Sequence, residues 1–183
     1  MMRTLPLVLL ALAAGVAGFF LYATLVSRDV PPDDGRSLLP VTQPVAEFAP
    51  VFVLPDVAGT QRSSTEWDDT FRVVNFWATW CPPCIREIPL LVDIQAEYGA
   101  RGVQVLGIAI DDAEAVSAFA EQFEFNYPVL VGQDDAMELG HRFVSDFIGL
   151  PFTVFTDRSG RIIQFHMGEI HREQIEAILA ELL

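Results

Sequence analysis

The sequence predicts an α/β domain in which helices flank a mixed central sheet, preceded by an N-terminal transmembrane signal anchor. Three observations predict this architecture. Residues 72–78 and 103–110 are largely apolar runs, typical of strands that helices cover on both faces. A stretch with helical spacing follows each run, and the chain ends in a hairpin pattern and one more helix. An apolar stretch close to the length of a membrane span opens the sequence.

The N-terminal apolar stretch covers residues 5–26, with Arg3 before it and Arg28 after it. It is longer than the roughly 7–15 apolar residues of a secretory signal peptide and close to the ~20 that span a bilayer. We therefore expect a retained anchor; a peptide cleaved near Ala23 is the alternative. Arg3 on the short side keeps the N-terminus cytoplasmic, which predicts a single-pass protein of the inner membrane whose domain faces the periplasm.

The predicted organisation has three parts. Residues 1–27 form the cytoplasmic tip and anchor, residues 28–48 a tether rich in proline and aspartate, and residues 49–183 the folded domain. A length of 183 residues suits one domain plus a tail. The net charge is −14, and all 11 basic residues are arginine. This acidic balance argues against a nucleic-acid-binding surface, which needs a basic patch.

The first half of the domain is predicted to begin with a short β-ribbon. Strands at 51–54 and 60–63 flank a turn, and residues 65–69 form one helical turn. After the buried strand at 72–78, a helix covers 82–98, with Pro89 inside it to kink it and Gly99 placed to end it.

The second half continues the alternation after the strand at 103–110. Asp111 and Glu114 form a predicted capping box for a helix over 113–124. A short strand at 129–131 and a short helix at 137–143 follow. Strands at 152–156 and 162–167 then flank the turn 157–160, and the closing helix carries one apolar stripe, made of Ile175, Ile178, Leu179 and Leu182.

Cys81 and Cys84 are the only cysteines, and they lie between the apolar strand and the start of a helix. This placement favours a redox-active dithiol over a structural staple, because so small a loop removes little entropy from the unfolded chain. A zinc site needs about four N or S ligands, and the three histidines are scattered. Ile85 follows Cys84, so the pattern is not that of haem attachment. We expect neither a cofactor nor a metal.

The motifs around the dithiol resemble those of the thioredoxin superfamily. They are the W-C-x-x-C sequence at 80–84, Pro89 five residues after the second cysteine, and the sequence Gly-Leu-Pro-Phe-Thr at 149–153. Glu87, the anchor and the turn at 157–160 are similar to features of the exported TlpA and ResA group of thiol-disulfide oxidoreductases. The resemblance covers roughly residues 49–183 and implies a thioredoxin-like fold.

Chemistry and position divide the work between the cysteines. Cys81, just before the helix, has its thiolate stabilised by the helix dipole and is the predicted nucleophile; Cys84, one turn inside, resolves the mixed disulfide. Pro82 and Pro83 remove two amide donors from the helix start. We therefore expect only modest acidification of Cys81, which favours a reductant, although prolines also simply suit a first helical turn.

Four further residues complete the predicted site. Glu87 lies at i+3 from Cys84 and can exchange the proton of that thiol; an exposed first-turn glutamate is the alternative. The resemblance supports the acid-base role, and Asn75, where cytoplasmic thioredoxins carry a titratable aspartate, shifts that role toward Glu87 or a water. The resemblance also implies that Pro151 is cis and faces the dithiol, with Leu150 near Cys81. Trp80 flanks the dithiol as an apolar contact surface, whereas packing explains Trp77.

What the resemblance implies is a membrane-tethered protein-disulfide reductase. Its partners would be disulfide-bearing periplasmic proteins, either apocytochrome c or copper-site assembly proteins, with electrons from a membrane thiol donor. Phe152, rather than an acidic residue, follows Pro151, which tilts the interpretation toward the TlpA side. A DsbA-like oxidase and a non-catalytic thioredoxin-fold module that holds partners or copper remain alternatives. A peroxidase is excluded because the proline of P-x-x-x-T-x-x-C is absent.

Overall fold

The computed structural model describes residues 45–183. The strands are β1 (Val53–Pro55), β2 (Gln61–Ser63), β3 (Phe71–Trp77), β4 (Val103–Ile110), β5 (Val129–Gly132), β6 (Phe152–Thr156) and β7 (Ile162–Met167). The α-helices are α1 (Pro82–Tyr98), α2 (Ala113–Ala120), α3 (Asp134–Phe143) and α4 (Arg172–Leu182). Two 3-10 turns, Ser64–Trp67 and Gly99–Arg101, complete the order.

A five-stranded sheet in the order β5-β4-β3-β6-β7 organises the domain. The strands β3, β4 and β5 are parallel to one another, whereas β6 is antiparallel to β3 and β7 to β6. The predicted mixed sheet is therefore confirmed. β1 and β2 form a separate antiparallel ribbon.

Helices cover both faces of the sheet, and each face has its own core. Side chains alternate along β3, so Val73 and Trp77 join the core beneath α1, α2 and α4, while Val74 and Phe76 join the core beneath α3 and the ribbon. Every residue of β3 is buried. Burial on both faces agrees with the largely apolar sequence from which the strand is predicted.

α1 ends at Tyr98 with Gly99 as its C-cap, as predicted, but the conformation of Gly99 differs from that of a left-handed helix stop. Gly99 keeps a right-handed φ of −55° and only begins a 3-10 turn. The left-handed residue is Gly102, with a φ of +91°, where a side chain would be strained. The chain therefore leaves the helical conformation three residues later than Gly99 indicated.

The predicted capping box at Asp111 and Glu114 is also corrected. Asp112 is the N-cap of α2 and accepts a 2.8 Å hydrogen bond from the amide of Ala115. The helix ends at Ala120 rather than at 124. Phe123 still stacks on Phe119, with ring centroids 4.3 Å apart, so the apolar spacing is satisfied by a turn instead of a longer helix.

Other boundaries move by a few residues. α3 begins at Asp134, ahead of the predicted 137, because two aspartates occupy a first turn where negative charge is favourable. Residues 45–48, assigned to the tether, are bridged to the domain: Val45 pairs with Val144, and Phe48 with Arg161.

The predicted anchor at residues 5–26 and most of the tether lie outside the described residues. Within residues 45–183, no helix combines the length and hydrophobicity that crossing a membrane requires.

Candidate active site

The two cysteines lie where the carboxyl end of β3 passes into α1. Cys81 is the N-cap residue of α1 and has extended backbone angles, while Cys84 occupies its first turn. They form a disulfide with a Cα–Cα distance of 5.3 Å. Cys81 is 4% exposed and Cys84 is 0% exposed, which agrees with the predicted order of accessibility.

The two prolines occupy the first two positions of α1. Neither has an amide hydrogen, and the Cys81 side chain makes no capping hydrogen bond. The first backbone contact of the helix start is the amide of Ile85, which donates to the Cys81 carbonyl over 3.1 Å. The geometry therefore matches the premise of the acidity hypothesis, and the acidity itself stays a prediction.

Glu87 lies on α1 three residues after Cys84 and is buried, with 2% of its surface exposed, so the alternative of an exposed glutamate is excluded. Its Oε1 accepts a hydrogen bond from the side-chain amide of Asn75 over 2.7 Å, and its Oε2 accepts one from the backbone amide of Ile170 over 3.0 Å. Burial raises the pKa of Glu87 from 4.5 to about 7, and the two donors oppose that rise. A carboxyl with such a pKa can both take and give a proton near neutral pH.

Asn75 connects Glu87 to the neighbouring strand. Its Nδ2 donates to Glu87 and also to the hydroxyl of Thr153, 3.0 Å away on β6. The sequence identified Asn75 only as a residue that cannot titrate and did not predict either contact. Its parity on β3, shared with Val73 and Trp77, places it on the face toward α1 and could have indicated the contact with Glu87.

The peptide bond between Leu150 and Pro151 is cis, as the resemblance implied. The Pro151 carbonyl accepts a 2.9 Å hydrogen bond from the amide of Gly168, which ties this loop to the end of β7. Leu150 packs against the core cluster that contains both cysteines. Thr153 follows two residues after Pro151, so the Asn75 contact joins the loop to the buried carboxyl.

A contact with Asp111 fixes the loop before Cys81. Asp111, at the end of β4, accepts from the amide of Thr79 over 3.0 Å and from its hydroxyl over 2.6 Å. The sequence pattern favours a helix cap for Asp111 and does not indicate its contact with Thr79. Because β3 and β4 are parallel neighbours, their carboxyl ends lie side by side. The sequence alone does not show that these two strands pair.

Two exposed apolar side chains lie on the loops that carry the site. Trp80 is 66% exposed, whereas Trp77 is 1% exposed and packs in the core, as expected. Ile148, three residues before Pro151, is 85% exposed and was not predicted.

Comparison with known proteins gives consistent similarities. The model of the AhpC/TSA family matches residues 45–165. The thiol-disulfide oxidoreductase ResA of Bacillus cereus (strain ATCC 10987 / NRS 248) is 28% identical over 178 residues, covering 96% of this chain and 93% of the relative. ResA of Geobacillus kaustophilus is 30% identical over 140 residues, covering 75% and 78%.

Solved structures are also similar to the chain, and a crystal structure from Chlorobium tepidum is an example. The crystal structure of a thiol:disulfide interchange protein of the thioredoxin family from Chlorobium tepidum TLS superimposes with a TM-score of 0.67 and 28% identity. The match covers 74% of this chain and 94% of that one. The predicted thioredoxin-like fold is thereby confirmed.

Proposed function

The chain belongs to the AhpC/TSA family, and from that premise we propose that it is an exported thiol-disulfide oxidoreductase that reduces protein disulfides. One observation carries the proposal above all others. The Cys81–Cys84 pair lies at the start of α1, with the buried carboxyl of Glu87 on the same helix. Two of its relatives are named for thiol-disulfide oxidoreductase activity.

The first step forms a mixed disulfide. In the reduced protein the Cys81 thiolate attacks one sulfur of a partner disulfide. A bond forms between Cys81 and that sulfur, the partner's S–S bond breaks, and the second partner sulfur leaves as a thiolate that takes up a proton. Cys81 is suited to this role because it is the N-cap of α1 and the more exposed of the two cysteines.

The second step releases the partner. Glu87, three residues after Cys84 and therefore on the same side of α1, takes the proton of the Cys84 thiol. The Cys84 thiolate attacks the Cys81 sulfur, and the remaining partner sulfur leaves and is protonated. The partner disulfide has then gained two electrons, and the Cys81–Cys84 disulfide has formed. A thiol donor must return two electrons before the next cycle.

Partner contact is assigned to the loops around the dithiol. Trp80 precedes Cys81 and presents a largely exposed indole, while Leu150 and the cis-Pro151 loop pack against the core that holds the cysteines. A partner segment that lies across these loops places its disulfide at Cys81. The exposed Ile148 lies three residues before Pro151 on the same loop.

The proposed direction is reduction, and the prolines of α1 support it. Pro82 and Pro83 withhold two amide donors from the Cys81 thiolate, so the reduced form gains less stabilisation than in a strong oxidant. A redox titration of the pair separates the alternatives, because thioredoxin-like reductants lie near about −270 mV and DsbA near about −120 mV. A potential close to that of DsbA would turn the assignment into an oxidase.

The N-terminal sequence is the basis of the proposed location, and the location in turn suggests the partners. An anchor at residues 5–26 would hold the domain on the periplasmic side of the inner membrane. There the partners are apocytochrome c or copper-site proteins, and a membrane thiol protein supplies the electrons. Phe152 after Pro151 favours the TlpA-like partner range.

Reduction of insulin disulfides by the full chain tests the proposed activity. We expect turnover by the natural protein in the presence of a thiol donor and loss of turnover in both Cys81→Ser and Cys84→Ser. A variant at an exposed residue far from α1, Glu138→Gln on α3, is the control and keeps full turnover. Turnover by Cys84→Ser at the natural rate would refute the dithiol mechanism.

A further inference from the structure

Two consecutive residues of α1 contact two consecutive residues of the loop between β7 and α4. The Arg86 Nε donates to the Glu169 carboxylate at 3.2 Å and 3.0 Å, and its Nη2 also donates to Oε2. Beside this ion pair, the amide of Ile170 donates to Glu87. The loop is therefore attached to α1 by two adjacent contacts, one ionic and one through the proposed acid-base residue.

The two contacts differ in their exposure to water. The side chains of Arg86 and Glu169 are 58% and 26% exposed, whereas Glu87 is 2% exposed. The ion pair is thus partly open to solvent, and the carboxyl next to it is closed. Charges on the pair act on Glu87 through a protein interior that screens them less than water does.

The groups that face Glu87 come from several elements. The neutral side-chain amide of Asn75 on β3 and the backbone amide of Ile170 donate to its carboxyl, and Cys84 and Arg86 are its neighbours along α1. Tyr127, before β5, is neutral because burial raises its pKa. The loop between β7 and α4 contributes Glu169, whose negative charge raises the pKa of Glu87.

The histidines near the pair act on Glu169 rather than on Glu87. His166 of β7 places its Nε2 3.1 Å from the Glu169 carbonyl. His171, together with Arg86, is among the charges that lower the pKa of Glu169. Glu169 therefore carries the charge that raises the pKa of Glu87, and Arg86 is the side chain that pairs with Glu169 and offsets that charge.

We propose that Arg86 and Glu169 are positioning residues of the thiol-disulfide exchange, which act through Glu87. Their ion pair holds the loop amide that binds the Glu87 carboxyl, and their opposite charges set the pH at which that carboxyl exchanges a proton with Cys84. This inference rests on the proposed function. Exposed ion pairs contribute little to the free energy of unfolding. The inference gives Arg86 and Glu169 a role in the exchange reaction instead.

Opposite charges make the inference distinguishable from a purely mechanical attachment. Loss of the Arg86 charge leaves Glu169 unneutralised beside Glu87 and disfavours the Glu87 carboxylate. Loss of the Glu169 charge leaves Arg86 and favours it. If the pair only fastened the loop, either loss would loosen the same contact and both variants would move the titration of Glu87 in the same direction.

The test is a carboxyl-carbon NMR titration of Glu87 in the oxidised full chain, in detergent micelles. Arg86→Gln should move the Glu87 midpoint up and Glu169→Gln should move it down, each by about 0.2–0.7 of a pH unit. Arg86→Lys should stay close to the natural protein, since it keeps the charge. Arg62→Gln breaks the exposed Arg62–Glu66 pair on another part of the domain and is the matched control, with no expected shift.

The pH midpoint of mixed-disulfide release, measured on the same variants, should move in parallel with the NMR midpoint. Shifts in the same direction for both variants, or none, would overturn the positioning role while leaving the exchange activity intact. Opposite NMR shifts in a protein that exchanges no disulfides would instead overturn the proposed function, and the positioning role with it.

Discussion

At the scale of single residues, Glu87 combines two opposing influences. Its carboxyl is closed off from water, which favours the protonated form, and it accepts two hydrogen bonds, which favour the carboxylate. Burial prevails, and the pKa of Glu87 rises to about 7. Near neutral pH the Glu87 carboxyl is therefore only partly ionised, and its carboxylate form can accept the proton that Cys84 loses when it resolves a mixed disulfide.

This raised pKa predicts the pH dependence of stability. Below pH 4.5 the carboxyl is protonated in both the folded and unfolded states; between pH 4.5 and about 7 only the folded protein keeps the proton. The stabilisation is therefore full below pH 4.5 and is lost as pH rises through about 7. Relative to the natural protein, Glu87→Gln should gain up to about 3 kcal/mol in unfolding free energy across that range.

Urea unfolding of the oxidised protein at a series of pH values measures the effect. The control is Glu138→Gln, an exposed residue of α3 that should show no such trend. A difference between Glu87→Gln and the natural protein that stays constant with pH would show that folding does not raise the pKa of Glu87.

Asn75 gives a second prediction at this scale. Asn75→Ala removes the donor to both Glu87 and Thr153, so the folded state should lose about 1–3 kcal/mol. Without that donor the Glu87 carboxylate is less favoured, and the pH midpoint of mixed-disulfide release should rise. Asn126→Ala, which removes an exposed amide bonded to the Val92 carbonyl, is the matched control. A lower midpoint in Asn75→Ala would contradict the assignment.

The residues of the site were unevenly predictable from sequence. Cys81, Cys84, Glu87 and Pro151 follow from local spacing and from a family resemblance, both of which a sequence displays. The contacts of Asn75 and Ile170 do not, because they depend on how β3, α1 and the loop after β7 come together. Asp111 shows the same difficulty, since its local pattern equally suits a helix cap.

At the scale of elements, the loop from β3 to α1 is held by β4. Asp111 binds both the amide and the hydroxyl of Thr79, two residues before Cys81. The nucleophile is therefore positioned by its helix on one side and by the end of a neighbouring strand on the other. A loop carrying a reactive thiol gains in precision when both of its ends are fixed.

Thr79→Val tests this attachment. The substitution keeps the shape of the side chain and removes the hydroxyl, so the oxidised protein should lose about 1 kcal/mol of unfolding free energy. Thr79→Ser keeps the hydroxyl and should lie much closer to the natural protein. Denaturant unfolding measures both variants. A loss in Thr79→Ser with none in Thr79→Val would mean that the methyl group, and not the hydroxyl hydrogen bond to Asp111, is responsible.

Element boundaries were predictable where burial determines them. β4, β6 and β7 fall at their predicted positions and β3 within one residue, because runs of apolar residues bounded by turn residues mark strands clearly. The end of α2 was less predictable, and so was the conformation of the glycine that follows α1. Gly99 fits a right-handed turn as well as a helix stop, and the aromatic spacing after Ala120 is satisfied by stacking of Phe119 and Phe123.

At the scale of the whole molecule, the buried carboxyl is assembled from separate parts of the chain. Asn75, Glu87, Thr153 and Ile170 belong to β3, α1, β6 and the loop before α4, and the mixed sheet brings them together. The sequence predicted the layers and the mixed sheet, whereas the strand order that joins these residues needed the structure.

Attachment of the chain to the membrane is predicted from residues 5–26, which lie outside the described residues. The full chain should stay with membranes after an alkaline wash, and protease added to the periplasmic side should degrade the domain. A chain without residues 1–27 should be released to the soluble fraction. Protection of the domain from protease in cells with an opened outer membrane would contradict the proposed orientation.

The central claim, that Cys81 attacks a partner disulfide and Cys84 resolves the product, is tested most directly by trapping mixed disulfides in cells. With Cys84→Ser we predict partner proteins joined covalently to Cys81 and released by a reductant. With Cys81→Ser, which leaves only the fully buried Cys84, we predict no such adducts. Equal trapping by both variants, or adducts on Cys84 alone, would contradict the account.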